Sequence, residues 1–427
     1  MFKSLLKFAR WIPLLLVGCG GSSGSVDGLE VVRQAAEFED QQATWISWPL
    51  IDHKQGLSNE AVVLEMIAVL TEAGQQVRIA IPDSAALQLA RSTVQREISQ
   101  PEQVKYFVVD HYEWWIRDTG PAFVETADGG RAVVNFRFNA WGYADADDPD
   151  VQSDAALARN LARQLGYPVI ESQMISEGGN REVNGRGTLM LSAATEENRN
   201  PDMSREEMEA EFARVLGVSN VIWLEEGLYE DDHTFMGPKT LADGSKAYTV
   251  VTTLGHIDEF ARFADERTIL LAQVPEEDLD DDPIARENHR RLEVNYEILR
   301  NATDQDGNPF RIVRVPLNRK LLFTMEPGDY VYDLISTLDY LDGSVFPVGE
   351  PIQVIAAASY LNVTITPNVI LGQKFGTPDD PVNTQRDAEV QRIMEEVFPG
   401  RTVVMIDPVA VNLGGGGLHC VTLHHPR

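Results

Sequence analysis

An α/β fold, with helices and strands mixed along the whole chain, is what this sequence predicts. Two observations carry the prediction. Helical apolar patterns closed by a stop signal are followed by short β-branched runs, and this helix-then-strand unit recurs about half a dozen times. The intervals are uneven, which excludes a fixed-period solenoid. A doubly wound parallel sheet is the default for such a pattern, but no Gly-x-Gly-x-x-Gly follows the first strand and no phosphate loop is present.

The elements follow in order. Ser58 caps a helix whose Val63, Ile67 and Leu70 share one face, and Gly74 ends it. Val77-Arg-Ile-Ala-Ile81 alternates as a strand. A helix over 84–97 precedes the strand Val104-Lys-Tyr-Phe-Val-Val109. Ser153 to Gly166 reads as one helix, with Val169-Ile170 as the strand after it. Ser204 and Glu207 form a capping box for a helix that Gly217 closes, ahead of Asn220-Val-Ile-Trp-Leu224. Tyr248 to Leu254 is a further strand. Asp282-Pro283 opens a helix that leads to the strand after Phe310. Arg386 to Val397 is the last long helix, and Thr402-Val-Val-Met-Ile406 follows it.

Composition sets bounds. The 427 residues are 43% hydrophobic and 24% charged, an ordinary globular balance. A net charge of −30 with no basic patch argues against a nucleic-acid partner and describes a well-solvated acidic surface. Acidic Glu276-Glu-Asp-Leu-Asp-Asp-Asp282 reads as a solvated loop rather than a calcium site, because it lacks regular ligand spacing.

The first residues form a separate segment. Lys3, Lys7 and Arg10 precede a short apolar run, Trp11 to Val17, too short to span a bilayer. Leu16-Val-Gly-Cys19 and a Gly/Ser stretch follow. The four residues resemble the bacterial lipoprotein box. Residues 1–19 are thus expected to be a lipoprotein signal with Cys19 lipidated, 20–30 a flexible tether, and 31–427 a single domain. A plain secretory signal is the other reading. Either implies export, and lipidation implies anchoring to a membrane, the outer one preferred because Gly20 stands where an inner-membrane retention signal often carries aspartate.

Only two cysteines exist, so a lipidated Cys19 leaves Cys420 as the single thiol, preceded by Gly414-Gly-Gly-Gly-Leu-His419. A lone cysteine is as readily a small buried apolar residue as a reactive one. Its company decides. Strands are followed by Trp114-Trp-Ile-Arg-Asp118, Glu177-Gly-Gly-Asn180 and Gly255-His-Ile-Asp-Glu259. A thiol with an imidazole is a nucleophile pair. Several carboxylates would repel an oxyanion but suit a cationic guanidinium, whose forked donors match them.

In this light the chain resembles the family of agmatine deiminases and bacterial, Porphyromonas-type peptidylarginine deiminases. The resemblance rests on Thr44-Trp-Ile-Ser-Trp-Pro49, Trp115-Ile-Arg-Asp-Thr-Gly-Pro121, Phe138-Asn-Ala-Trp-Gly142, Glu177-Gly-Gly-Asn180, Gly255-His-Ile-Asp258, Ser359-Tyr-Leu-Asn362 and Gly414 to Cys420, in family order from about residue 40 to the C-terminus. It implies the pentein fold, an α/β propeller of five pseudosymmetric ββαβ units around a central active site. It implies Cys420 as the nucleophile that forms a thiouronium, and His256 as the group that protonates ammonia and then activates water. Asp118 and Asp258 would clamp the guanidinium, Glu177 would orient His256, and Trp115 would pack on the substrate stem. Gly178 and Asn362 fall at substrate-binding positions. No metal or organic cofactor is implied.

Two departures matter. Family agmatine enzymes run from an Asp-Asp pair straight into Gly-His-x-Asp, whereas here residues 233–254 separate Asp232 from Gly255, as a hairpin or a lid. Asp-Glu after His-Ile is closer to the peptidylarginine enzymes. Arg137, just before Phe138, is a candidate partner for a substrate carboxylate or peptide carbonyl, or else a surface residue paired with an acid. Taken with export, these features make an arginine-type guanidine, peptidyl or free, the expected substrate. Agmatine is the rival, and amidino transfer or a non-catalytic surface lipoprotein are further readings. Oligomeric state is not legible.

Overall fold

The computed structural model describes residues 28–280 and 282–427. The expected signal, Cys19 and most of the expected tether lie outside the described residues. So does Asp281 of the acidic stretch.

One pairing pattern organises the described chain. A strand pairs antiparallel with a second, and the second pairs parallel with a third that is reached through helix. With that third strand the next one in the chain after the second, the pattern occurs five times among the described residues. Ala122–Thr126, Arg131–Arg137 and Val169–Ile175 form one such triple, extended at its edge by Val31–Gln34. Glu182–Val183, Thr188–Ser192 and Asn220–Leu224 form another. Ala261–Phe263, Thr268–Gln273 and Arg311–Pro316 form a third, crossed by the helix Pro283–Asn301. Thr364–Ile365, Val369–Gln373 and Thr402–Ile406 form a fourth. The fifth joins the two ends of the described chain. Thr422–Pro426 pairs antiparallel with Gln41–Ser47, which pairs parallel with Val77–Ile81, and Val104–Val108 adds a further parallel strand. A mixed α/β architecture is therefore what the sequence pattern predicted, without a continuous doubly wound sheet.

Local chemistry explains most boundaries. Ser58 caps Asn59–Glu72, and Gly74 beyond its end adopts φ +78°. Ser204 and Glu207 make both halves of the capping box on Arg205–Leu216. Asp282 caps Pro283–Asn301 through the Ile284 amide. Three boundaries differ from the sequence pattern. The helix expected from Ser153 begins at Pro149 under an Asp148 cap and breaks at Ala156 into Pro149–Ala155 and Leu157–Leu165. The helix expected from Arg386 begins at Pro381 under Asp380. In both cases an Asp-Pro start outweighs the later apolar periodicity. The strand expected to reach Leu254 is Lys246–Thr249 only. Beyond it the backbone turns, with Leu254 at φ +71° and Gly255 at φ +82°, to deliver His256 inward.

Residues 233–254 form a hairpin rather than a free flap. Lys239–Thr240 pairs with Lys246–Thr249, which pairs in turn with Ile352–Ile355 and through it with Leu322–Met325. The hairpin is thus the edge of a separate four-stranded sheet.

The β-branched and aromatic strand residues build the core. Fully buried Ile269, Leu270, Leu271, Phe260, Leu361 and Ile365 form one large cluster, and Ile46, Val63, Ile67, Ile79 and Leu371 form another that includes Cys420. Burying side chains of this kind contributes about 1.5–3 kcal/mol each, which holds the triples rigid and the loops between them in place. No helix among the described residues is long and apolar enough to cross a membrane.

Candidate active site

In all five triples a candidate residue stands just upstream of the first strand. Asp118 precedes Ala122–Thr126, and Glu177 precedes Glu182–Val183. His256 and Asp258 precede Ala261–Phe263, Asn362 precedes Thr364–Ile365, and Cys420 precedes Thr422–Pro426. Residues read in the sequence as lying after strands are the entry loops of the next triple. That shared position is what makes distant loops meet.

Gly179 marks the meeting point. A Cβ there would lie 2.6 Å from His256 Nδ1, 2.9 Å from Asp118 Oδ1 and 3.2 Å from Asp258 Oδ2. Only a residue without a side chain allows three functional groups to crowd one backbone. Its neighbour Gly178 passes so close to the Arg117 carbonyl that a Cβ would sit 1.9 Å from the oxygen.

Each carboxylate is held differently. Asp118 accepts the Gly179 amide on Oδ1 (2.9 Å) and the Trp141 indole N–H on Oδ2 (2.8 Å). Ala140 and Trp141 both take left-handed φ values, +50° and +54°. Non-glycine residues there cost about 1–3 kcal/mol each, so the Phe138–Gly142 stretch trades backbone strain for the indole's aim. Asp258 Oδ2 lies 2.7 Å from His419 Nδ1, while its buried Oδ1 has no partner. Glu177 accepts Arg199 Nε on Oε1 at 2.7 Å, and its Oε2 lies 3.6 Å from His256 Nε2. His256 Nδ1 is 3.8 Å from Asp118 Oδ1. These distances are in ion-pair range but long for hydrogen bonds, and both ring nitrogens are left without one.

The charges perturb one another. Burial opposes ionisation of Glu177, yet Arg199 and His256 hold its carboxyl down at about 2. Burial also works against the His256 cation, but Asp118 and Glu177 outweigh it and raise the imidazole above its ordinary value. Burial raises Asp118, with His256 opposing and Glu177 and Asp258 adding to the rise. For Asp258 the burial penalty is overcome by His419, His256 and Arg262, and the carboxyl stays below its usual range. Burial, Asp258, Glu259 and Asp118 together push the Cys420 thiol well above its ordinary value. An arriving cation relieves all three carboxylate repulsions and favours the thiolate.

The glycine run brings the thiol to this point. Gly415 adopts φ +121° with its backbone against the Val251 carbonyl, where a Cβ would fall at 1.9 Å. A Cβ on Gly416 would touch Cys420 Sγ at 2.7 Å and the Trp115 ring at 3.1 Å. Trp115 is buried, with the His53 ring parallel to it and their centroids 5.9 Å apart. Cys420 Sγ accepts Asn362 Nδ2 at 3.1 Å and lies 3.7 Å from Asp258 Oδ2.

The structure thus gathers Cys420, His256, Asp118, Asp258, Glu177, Gly178, Trp115 and Asn362. It does not bring Arg137 to them. That side chain is exposed, and its guanidinium donates to Gln173 rather than to an acid or toward the thiol. Four contributors were missed from the sequence. Arg199 and Trp141 support Glu177 and Asp118. His419 bridges Asp258 and Glu37, both at 2.7 Å. Glu259 lies 4.0 Å from Sγ. For two of them the signal was adjacency, since His419 and Glu259 directly flank Cys420 and Asp258, and Trp141 stands in the Phe138–Gly142 stretch. Cys420 Sγ with carboxylate oxygens of Asp258 and Glu259 forms a set within 4.8 Å. Such a set could grip a metal ion, and a planar organic cation equally well.

A family model of Porphyromonas-type peptidyl-arginine deiminases matches residues 33–426. Agmatine deiminase of Pseudomonas putida is 29% identical over 395 residues, covering 92% of this chain and 94% of the relative. Agmatine deiminase of Pseudomonas aeruginosa is 29% identical over 401 residues, covering 92% and 95%. The solved structure of an agmatine deiminase from Enterococcus faecalis has a TM-score of 0.69 at 21% identity, covering 95% of this chain and 98% of that one. At that identity the structural likeness bears on the fold alone.

Proposed function

Because the chain belongs to the Porphyromonas-type peptidyl-arginine deiminase family, we propose a mechanism and a substrate for it. The protein is a hydrolase that deiminates a guanidino group, giving a ureido product and ammonia. The observation that carries the mechanism is the convergence of His256, Asp118 and Asp258 on Gly179 beside the Cys420 thiol.

The free Oδ1 of Asp258 and the oriented carboxylate of Asp118 receive the guanidinium N–H groups. Cys420 thiolate attacks the central carbon and forms a C–S bond. His256, raised toward its cation by Asp118 and Glu177, gives a proton to one amino nitrogen. The C–N bond breaks, ammonia leaves, and an S-alkylthiouronium remains. Neutral His256 then takes a proton from water as its oxygen adds to the same carbon. Collapse breaks the C–S bond, returns the thiolate and, with the remaining hydroxyl proton passing to the released ammonia or solvent, leaves the ureido group. Trp115 borders the thiol through Gly416 and is positioned to pack on the substrate's alkyl stem.

Our reading of the substrate is an arginine-type guanidine, peptidyl or free, and the export expected from the N-terminal sequence supports it. Agmatine is the second reading, favoured by the naming of relatives that match over 92% of this chain. Arg117, Arg199 and Arg262 are already bonded to Glu37, Glu177 and Glu182. None of these three is free to take the carboxylate of free arginine, which favours a peptidyl substrate or agmatine. We further read residues 31–427 as one deiminase domain whose five triples close as a propeller around Cys420. The chain would be exported and lipid-anchored through Cys19.

The test is ureido detection with purified protein on agmatine, free arginine and a blocked arginine peptide, with Cys420→Ala as control. Product from the peptide, absent in the variant, is the expected result, and product from free arginine would show that its carboxylate finds a partner other than Arg117, Arg199 and Arg262. Product from agmatine alone replaces the substrate reading with its rival. A new guanidine in place of ammonia would instead mark amidino transfer.

A further inference from the structure

Glu259 has no role in the mechanism above, yet it is buried beside the nucleophile. Its Oε1 accepts Asn362 Nδ2 at 2.9 Å. The same nitrogen lies 3.1 Å from Cys420 Sγ, and Oε1 itself is 4.0 Å from the sulfur. Three side chains from three different entry loops therefore form a line of carboxyl, amide and thiol.

The orientation of the amide is fixed from the other end. Asn362 Oδ1 accepts the backbone N–H of His419 at 2.8 Å and of Cys420 at 3.4 Å. A flipped amide would point N–H groups at two backbone donors, so the nitrogen must face the sulfur and Glu259. A primary amide carries two hydrogens. One can serve the sulfur only while the other has an acceptor, and Glu259 Oε1 supplies it. The loops are also tied directly, because Ser359 Oγ donates to the Glu259 carbonyl and accepts the Leu361 amide at 3.2 Å.

We propose that Glu259 is a positioning residue of the deiminase, which aims one N–H of Asn362 at Cys420 Sγ so that the thiolate forms. The proposal rests on the reading of Cys420 as nucleophile. Around Glu259 stand Asp231, Asp258, Glu230, Arg262 and the thiol. Arg262 is engaged by Glu182, Glu37 and the carbonyls of Leu361 and Val363. Burial and the surrounding carboxylates raise the Glu259 carboxyl well above its ordinary value, which weakens its opposition to the thiolate while its Oε1 still accepts the Asn362 amide. The sign of the predicted effect follows. Where Glu259 acts chiefly as the acceptor that holds the Asn362 amide, removing it loosens the amide and makes the thiolate harder to form. Removing a charged carboxylate would make it easier.

The test compares Glu259→Ala, Glu259→Asp and Glu259→Gln in the full chain. The first readout is iodoacetamide alkylation at Cys420 against pH, followed on its own peptide by mass spectrometry so that Cys19 does not interfere. The second is kcat and KM against pH. Glu259→Ala and the shortened Glu259→Asp should move the alkylation midpoint up by about one pH unit and lower kcat by about tenfold. Glu259→Gln keeps an acceptor oxygen and should stay within about threefold of the parent. An unchanged or lowered midpoint in Glu259→Ala overturns the proposal. So does a Glu259→Gln loss as deep as that of Glu259→Ala, or a change confined to KM, which would mark direct substrate contact. If Glu259→Ala does not fold, Glu259→Asp and Glu259→Gln decide alone. Alkylation needs no substrate, so the absence of a ureido product from any guanidine would overturn the functional reading while leaving this readout intact.

Discussion

A Cβ on Gly179 would lie 2.6 Å from Nδ1 of His256. The same atom would crowd Asp118 and Asp258, so the backbone of one triple's entry loop is the floor on which groups from two others stand. Gly179 has no left-handed φ to protect, and its glycine is required by space alone. Gly179→Ala is therefore expected to leave the fold intact and to displace the imidazole and both carboxylates. We expect kcat/KM to fall by at least about a hundredfold, with little change in the thermal unfolding midpoint. Steady-state kinetics beside a melting curve checks this, and near-parental activity would show that the cluster is looser than the distances imply.

Glu177 and Arg199 are both fully buried and bonded at 2.7 Å. Glu177→Gln would strand the guanidinium, and breaking a buried pair from one side costs about 3–5 kcal/mol. It would also remove one of the three charges, those of Asp118, Glu177 and Asp258, that raise His256 against its burial. The imidazole then deprotonates at lower pH, so the alkaline limb of kcat should move down. Chemical denaturation and a kcat–pH profile measure the two effects separately. An unmoved limb would mean that Asp118 and Asp258 sustain the imidazolium without Glu177.

Glu196 is buried behind Glu177, with Asn180 Nδ2 donating to its Oε2. Burial first, and then Glu177, push its carboxyl up to about 7 from 4.5. An acid raised on folding contributes stability that is full below its unfolded value and is lost as pH rises through the folded one. At 1.36 kcal/mol per unit, the loss between pH 4.5 and about pH 8 is on the order of 3 kcal/mol. Glu196→Gln keeps the Asn180 bond and removes the titration. Its unfolding free energy relative to the parent should rise across that window, with no gain at the acid end. Parallel denaturant titrations at the two pH values decide it, and a difference that is constant in pH would refute the assignment.

Arg137 is exposed and bonded to Gln173, away from the thiol. Arg137→Ala should leave kcat and KM within about twofold on every substrate that turns over. A selective rise in KM for an arginine peptide would instead place a long substrate across that strand.

Much of the local structure was legible because local chemistry makes it. Ser58 and Gly74 bound one helix, and Ser204 with Glu207 opens another, through contacts within a few residues. Where two local signals competed, the stronger one won. Asp148-Pro149 and Asp380-Pro381 start their helices earlier than apolar spacing suggested, since a capping carboxylate and a preset proline act before any face is buried. The residues of the site were legible as types. A lone thiol, an imidazole and several acids beside glycine name a cationic substrate by charge alone.

Their partners were not legible. His419 reads only as the neighbour of Cys420 in the chain, and both of its ring nitrogens are occupied by Asp258 and Glu37. Arg199 carries no motif, Trp141 and Glu259 lie inside family stretches that gave them no role of their own, and the role read for Arg137 is one that space does not honour.

By itself, then, the sequence determined which groups are available and which segments bend, because hydrogen-bond caps, backbone preferences and formal charges are properties of short stretches. The tertiary structure decided which groups meet. Asp118, Glu177, His256, Asn362 and Cys420 are far apart in the chain, and they converge because each enters its triple at the same point, ahead of the first strand. It also decided their electrostatics. Burial and proximity hold Glu177 down and the Cys420 thiol up, and distance and solvent exclusion exist only once the strands have paired.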